Sequence, residues 1–161
     1  MGGYLYVGLA LPAFVVGFHH SNLGSALFTV AAFAFLWFLA SLRARLDRYD
    51  PAGFFGSTVH LGGAAMIALQ AIALVFAKPQ LAAPAAACAA TVIVGSSLAA
   101  LRARKVTHRF GYAGLVGGAG VLGVGIAEGA ADWTFAGDSI FSSSLGFMVW
   151  VVVTATYLLR R

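Results

Sequence analysis

Long apolar runs alternate with short polar segments along this chain. Six runs stand out, and they cover residues 4–20, 24–42, 52–77, 81–101, 111–131 and 140–159. A helix that crosses a bilayer needs about 20 mostly apolar residues, because each residue adds about 1.5 Å toward a core about 30 Å thick. The pattern therefore predicts an all-α membrane protein whose residues 1–161 form a single bundle of six transmembrane helices with short loops. The first run is barely long enough to cross.

Turn-forming residues mark where these helices are expected to end and begin. Asp50-Pro51 separates the second run from the third, and Lys78-Pro79 separates the third from the fourth. Proline lacks a backbone N–H and is favoured in the first turn of a helix, where that N–H has no helical acceptor. We therefore expect Pro51 to begin the third helix.

The composition favours lipid over water as the solvent of these helices. Charged residues make up 9% of the chain and hydrophobic residues 61%, whereas a soluble domain carries about 25% charged residues. A soluble fold of this length has too little interior to bury so much apolar surface. A membrane bundle needs no such interior, because the surrounding lipid is itself apolar.

Basic residues are concentrated after the second, fourth and sixth runs. They are Arg43, Arg45, Arg48, Arg102, Arg104, Lys105, Arg109, Arg160 and Arg161. Cytoplasmic loops of membrane proteins are enriched in Lys and Arg, so these segments and both termini are predicted to be cytoplasmic. The same cations are expected to contact anionic lipid headgroups, at about 1 kcal/mol each. Their position beside apolar helices argues against a nucleic-acid partner despite the net charge of +5.

The fifth run is rich in glycine. Four of its glycines project within a narrow arc at about 100° per residue, and they are Gly114, Gly118, Gly125 and Gly129. Small residues let helix backbones approach closely in lipid, so this arc is predicted to pack against neighbouring helices. The fifth helix is therefore expected to be central in the bundle. Alternatively, the glycines make the helix bendable, as in a gated transporter. Residues 118–123 match GxGxxG, but a dinucleotide site needs a preceding strand, so no cofactor is predicted.

Three polar residues inside predicted spans are candidates for an intramembrane proton or ion site. His60 lies about 12 Å from the cytoplasmic end of the third helix. Gln70 of the third helix and Glu128 of the fifth fall at comparable outer depths, where they would meet if those helices touch. Ionisable groups within a membrane are costly and often functional. Alternatively, these residues have structural roles: Glu128 reaches the outer membrane interface, and His60 forms a hydrogen bond with Ser96 or Ser97.

The outer side is predicted to collect His19, His20 and Asp132, whose side chains suit zinc, iron or copper. No spacing places two of these ligands on one helical face, so no metal site is predicted. A haem held by two histidines is less favoured than a metal site, because His60 is predicted near the inner face and His19 and His20 near the outer face. The serines at 142–144 lack the G-x-S-x-G setting of a catalytic nucleophile.

One segment resembles a known group of proteins. Its second helix ends in Leu42-Arg43-Ala44-Arg45, and a short loop leads from Gly53 to a third helix bearing Gly62-Gly63. This arrangement is similar to that of small, uncharacterised multi-pass membrane proteins of GC-rich, actinobacteria-like bacteria. The likeness covers roughly a third of the chain, and the very short first outer loop departs from it. It implies an integral membrane protein and assigns no catalytic residue.

These observations favour a non-enzymatic protein of a bacterial plasma membrane, acting as an accessory or structural subunit or as a homo-oligomer. Its expected partners are the lipid bilayer, other membrane subunits or further copies of itself. A small transporter or channel using Glu128, Gln70 and His60 is the alternative. A membrane enzyme or metal site at the outer face is a third hypothesis.

The charge pattern predicts a topology that reporter fusions can test. Fusions at Met1 and Arg161 are both expected to give signals of a cytoplasmic reporter, because three basic segments alternate with the outer loops. A reporter at Met1 that is active only outside the cytoplasm would contradict six spans and would favour five.

Overall fold

The computed structural model describes residues 2–17, 21–76, 81–103, 108–130 and 136–158. Within these residues it contains six α-helices and no strand, which confirms the predicted all-α class. The helices are α1 (Gly2–Gly17), α2 (Ser21–Leu46), α3 (Phe54–Phe76), α4 (Ala82–Arg102), α5 (His108–Ala130) and α6 (Ala136–Leu158). α2 continues past its predicted end at residue 42, so Arg43 and Arg45 belong to its last turn.

Four helices are long and apolar enough to cross a membrane. In the described part of the chain these candidate spans are Ala26–Leu46, Phe54–Ile72, Ala83–Arg102 and His108–Glu128. α1 has 16 residues, which corresponds to about 24 Å of helix. α6 contributes a shorter apolar segment, Ser144–Tyr157.

α4 is the centre of the bundle. It packs chiefly between α3 and α5 and also touches α6 and α2, whereas α1 lies along α2 and reaches α6. In the span of α4 61% of the residues are buried, against 33% in the spans of α3 and α5. The prediction that the fifth helix is central is therefore wrong.

Small side chains explain why α4 takes this position. Ala86, Ala89 and Ala90 are buried along it, and Gly62 of α3 approaches the carbonyl of Cys88 so closely that an added Cβ would lie 3.4 Å from that oxygen. In lipid, helices associate through such close packing and not through burial from water. An alanine-rich helix therefore accepts neighbours on several sides.

Aromatic side chains join the remaining helices. The ring of Tyr6 on α1 lies 4.7 Å from that of Phe35 on α2, measured between centroids. Phe35 lies 5.5 Å from Phe147 on α6 in an edge-to-face arrangement, and Phe147 continues to Trp150 at 6.2 Å. Such pairs contribute about 0.5–1.5 kcal/mol each beyond their burial, so this row ties α1, α2 and α6 together.

The turn between α2 and α3 is built around Asp50. Its carboxylate Oδ2 accepts the backbone N–H of Phe55 at 3.0 Å, and its carbonyl accepts the N–H of Gly53 at 2.8 Å. Gly53 has φ +67°, a left-handed conformation that favours glycine. Pro51 lies within this turn, so the expectation that it begins α3 is wrong. The first turn of α3 uses a carboxylate acceptor instead.

Two glycines of α5 offer a matched test of the α4–α5 contact. A Cβ at Gly118 would lie 2.7 Å from Cγ2 of Val94, whereas a Cβ at Gly123 would meet nothing within 4 Å. We expect Gly118→Leu to lower the free energy of unfolding by about 1–3 kcal/mol through overpacking, and Gly123→Leu to change it far less. Thermal unfolding midpoints in detergent measure the difference; equal midpoints would contradict the packing described.

Candidate functional site

His60 lies in α3 with its imidazole partly buried. Its Nδ1 is buried and has no hydrogen-bond partner among the described residues. The predicted partners bond their own helix instead, because Ser96 Oγ donates to the carbonyl of Val92 at 2.6 Å and Ser97 Oγ donates to that of Ile93 at 2.6 Å. The expected hydrogen bond from His60 to these serines is therefore not formed.

Gln70 pairs with α6 and not with α5. Its side chain is buried, and its Nε2 donates to Ser144 Oγ at 3.4 Å. Glu128 is partly buried near the far end of α5, and α4 packs between α3 and α5. α3 and α5 are therefore not among the main helix contacts, and the described hydrogen bond of Gln70 goes to α6.

The three polar candidates do not form one site. His60 and Gln70 share α3 but lie ten residues apart, about 15 Å along the helix axis. A cavity between α5 and α6 is lined by none of the three. Each of them therefore occupies its own local environment.

The outer metal candidates His19, His20 and Asp132 lie outside the described residues. Among the residues that are described, no group of three or more His, Cys, Asp or Glu side chains could hold a metal ion. The third hypothesis, an outer metal site, stays a prediction.

Acidic residues pair with two of the arginines at one end of the bundle. We call this the basic end; it contains the end of α2, the start of α3, the end of α4 and the start of α5. Arg43 Nε lies 3.6 Å from Asp47 Oδ2, and Arg102 Nη1 lies 4.0 Å from Asp50 Oδ1. The guanidinium of Arg102 also lies 6.0 Å from the ring centroid of Phe55.

These contacts give Arg102 a structural part beside its predicted role in topology. The side chain of Asp50 is 5% exposed and that of Arg102 is 69% exposed, so the carboxylate is the anchor and the guanidinium covers it. Sequence reasoning missed this contact, although an acidic residue beside a basic cluster was an available signal. Arg48 and Arg109 are exposed and Arg45 is partly buried; Arg104, Lys105, Arg160 and Arg161 lie outside the described residues.

The glycines of α5 divide by the face they occupy. Gly114 lies against Ser97 of α4 and Gly118 against Val94, each too closely for a side chain. Gly125 is buried as well, and the surroundings of Gly129 are not among those described. On the other side, an added Cβ would meet nothing within 4 Å at any of Gly117, Gly120 and Gly123.

An apolar cavity of about 240 Å³ lies between α5 and α6. We call it the α5–α6 groove; its lining residues are Phe110, Ala113, Gly114, Gly117, Gly146, Val149, Trp150 and Val153. Trp150 is 7% exposed, and its Nε1 has no hydrogen-bond partner among the described residues. Sequence reasoning did not find this groove, because glycine spacing on one helix does not reveal which helix lies beside it.

Comparisons with known proteins add no assignment. No protein-family model, curated protein or solved structure matches this chain. Any inference about function therefore depends on the helices, their exposed faces and the groove. The likeness of the second and third helices to small multi-pass membrane proteins stays a prediction.

The anchoring role of Asp50 can be measured directly. Asp50→Ala removes the acceptor for the N–H of Phe55 and is expected to lower the free energy of unfolding by about 1 kcal/mol, the usual effect of losing a helix-capping side chain. Arg102→Ala should cost less, because its guanidinium is 69% exposed and lies 4.0 Å from the carboxylate, and ion pairs with a solvent-exposed partner contribute about 0–1 kcal/mol. Arg48→Ala, at an exposed position, is the control. Thermal unfolding in detergent measures the difference. Equal unfolding midpoints for Asp50→Ala and Arg48→Ala would contradict an anchoring role of Asp50.

Proposed function

We propose that this chain is a non-enzymatic integral membrane protein of a bacterial plasma membrane that acts as a subunit through the lateral faces of its helices. In this proposal all six helices cross the bilayer, and the basic end and both termini face the cytoplasm. The four long apolar helices support membrane insertion. The packing of α1 and α6 among them supports placing these two shorter helices in the same layer.

The observation that carries the subunit proposal is an exposed face of α5. It consists of Ala113, Val116, Gly120, Gly123 and Ala127, all exposed and within an arc of about 80°. Val116 is 74% exposed, and no atom lies within 4 Å of a Cβ built at Gly120 or Gly123. Faces of small residues are those by which transmembrane helices approach each other most closely. The face is thus suited to a helix from outside the chain.

The transporter alternative has less support. It needs His60, Gln70 and Glu128 to line a shared path, and the hydrogen bond of Gln70 goes to Ser144 on α6 instead. The α5–α6 groove is apolar, and none of these three residues lines it. Polar side chains spread over separate helix contacts fit hydrogen bonds within a bundle, which average about 0.6 kcal/mol each.

Mass measurement after gentle extraction tests the subunit proposal. We expect the wild-type protein to run as an assembly larger than one 16.6 kDa chain, and Gly120→Leu to release single chains, because a leucine there keeps a second helix from approaching. Gly8→Leu is the matched control, since a Cβ at Gly8 on α1 also meets nothing within 4 Å.

The two variants separate a specific face from a general effect of added leucine. Loss of the assembly in Gly120→Leu with retention in Gly8→Leu supports the α5 face. Equal masses for all three proteins count against this face, and a wild-type protein that is a lone chain in mild detergent overturns the subunit proposal.

A further inference from the structure

The α5–α6 groove runs along the helix axes, starting at the basic end. Phe110 is two residues from the start of α5, and Gly146 is twelve residues from the end of α6. The ring of Phe110 lies 5.9 Å from that of Tyr157, so these two helix ends are level. At about 1.5 Å per residue the groove extends from about 3 Å to about 18 Å above the basic end.

This length equals the depth of one lipid leaflet. The hydrocarbon core of a bilayer is about 30 Å thick, so one leaflet accounts for about 15 Å. The groove's volume of about 240 Å³ exceeds the roughly 150 Å³ of an apolar cavity that holds benzene. Gly117, Gly146 and Val149 on its rim are exposed, so a chain lying in the surrounding lipid can enter from the side.

The mouth of the groove carries positive charge. Arg109 lies one helical turn before Ala113, which lines the groove, so the two side chains are neighbours on the helix surface, and Arg109 is exposed. Arg43 and Arg102 have carboxylate partners, whereas Arg109 forms no ion pair with any residue that the structure describes. The first turn of α5 contains no acidic residue, and the positive end of its helix dipole points the same way. An anion is therefore favoured at this mouth.

We propose that the α5–α6 groove binds one acyl chain of an anionic phospholipid whose phosphate contacts Arg109. An apolar channel one leaflet deep with a cation at its headgroup end matches this molecule in both polarity and charge. A neutral lipophilic ligand such as a quinone leaves the charge at the mouth unused. Trp150 forms a wall of the groove, and its position on α6 is about 12 Å from the basic end, deeper than the ester groups of a lipid. The inference rests on membrane insertion of α5. The groove shares Ala113 with the exposed α5 face, whereas Gly117 lines the groove alone and Gly120 belongs to the face alone.

Native mass spectrometry of the full chain tests this site. The protein is released from micelles that contain phosphatidylglycerol and phosphatidylcholine in equal amounts, and bound lipids are counted per chain. We expect the wild type to retain one phosphatidylglycerol. Gly117→Leu, which fills the groove from a position with open space around its Cβ, should lower this occupancy about tenfold, equivalent to about 1.4 kcal/mol.

Two further variants separate the chain from the headgroup. Arg109→Gln should lower the preference for phosphatidylglycerol about fivefold, as expected for about 1 kcal/mol per cation, while leaving a chain in the groove. Gly8→Leu, on an exposed part of α1, should bind as the wild type does. Ala113→Leu fills the groove one helical turn nearer its mouth and replaces Gly117→Leu if that variant unfolds at a lower temperature than Gly8→Leu.

The outcomes that overturn the proposal are distinct. Unchanged lipid retention in both groove variants, or equal retention of the two lipids by the wild type, removes the site. A stoichiometric quinone or other neutral compound in an organic extract of the protein assigns the groove to a different ligand. Gly120→Leu that loses the assembly but retains its lipid shows that the subunit face and the lipid site are separate.

Discussion

The close approach of α3 and α5 to α4 is the contact on which the rest of the bundle depends. Lipid chains are as apolar as leucine, so transmembrane helices are held by packing and hydrogen bonds more than by exclusion from water. Here Gly62 of α3 lies against Cys88 and Thr91 of α4, and Gly118 of α5 lies against Val94 of α4. α1, α2 and α6 complete the bundle through larger aromatic side chains around Phe35 and Phe147.

Hydropathy predicted the helices but not their neighbours. The apolar runs gave the all-α class because a helix satisfies its own backbone hydrogen bonds, so its existence depends on local sequence. Which helix is central depends on pairs of surfaces. Gly114 and Gly118 do lie against α4, but Gly117 and Gly120 face open space. A glycine permits close approach of another helix but does not show that a helix lies there. For this reason the glycine content of α5 wrongly predicted that α5 is the central helix of the bundle.

The same limit explains the candidate site. The residue count along a helix gives an expected depth, and on this basis Gln70 and Glu128 are predicted to lie toward the same end. The direction in which a side chain projects between helices follows only from packing, and it turns Gln70 toward Ser144 on α6. For Asp50 the sequence predicted only a helix boundary. In the structure its carboxylate also accepts the N–H of Phe55 in the α2–α3 turn and pairs with Arg102 of α4.

The open glycines of α5 carry the strongest argument for a contact beyond this chain. Each glycine in a helix is less favourable than alanine by about 0.8–1.0 kcal/mol in intrinsic propensity. An alanine would fit at Gly117, Gly120 and Gly123, because nothing within 4 Å opposes its Cβ. Packing within the chain therefore gives no reason for glycine at these positions. Gly117 opens the α5–α6 groove, and Gly120 and Gly123 flatten the exposed face. Both consequences are useful only if a lipid chain or another helix lies there.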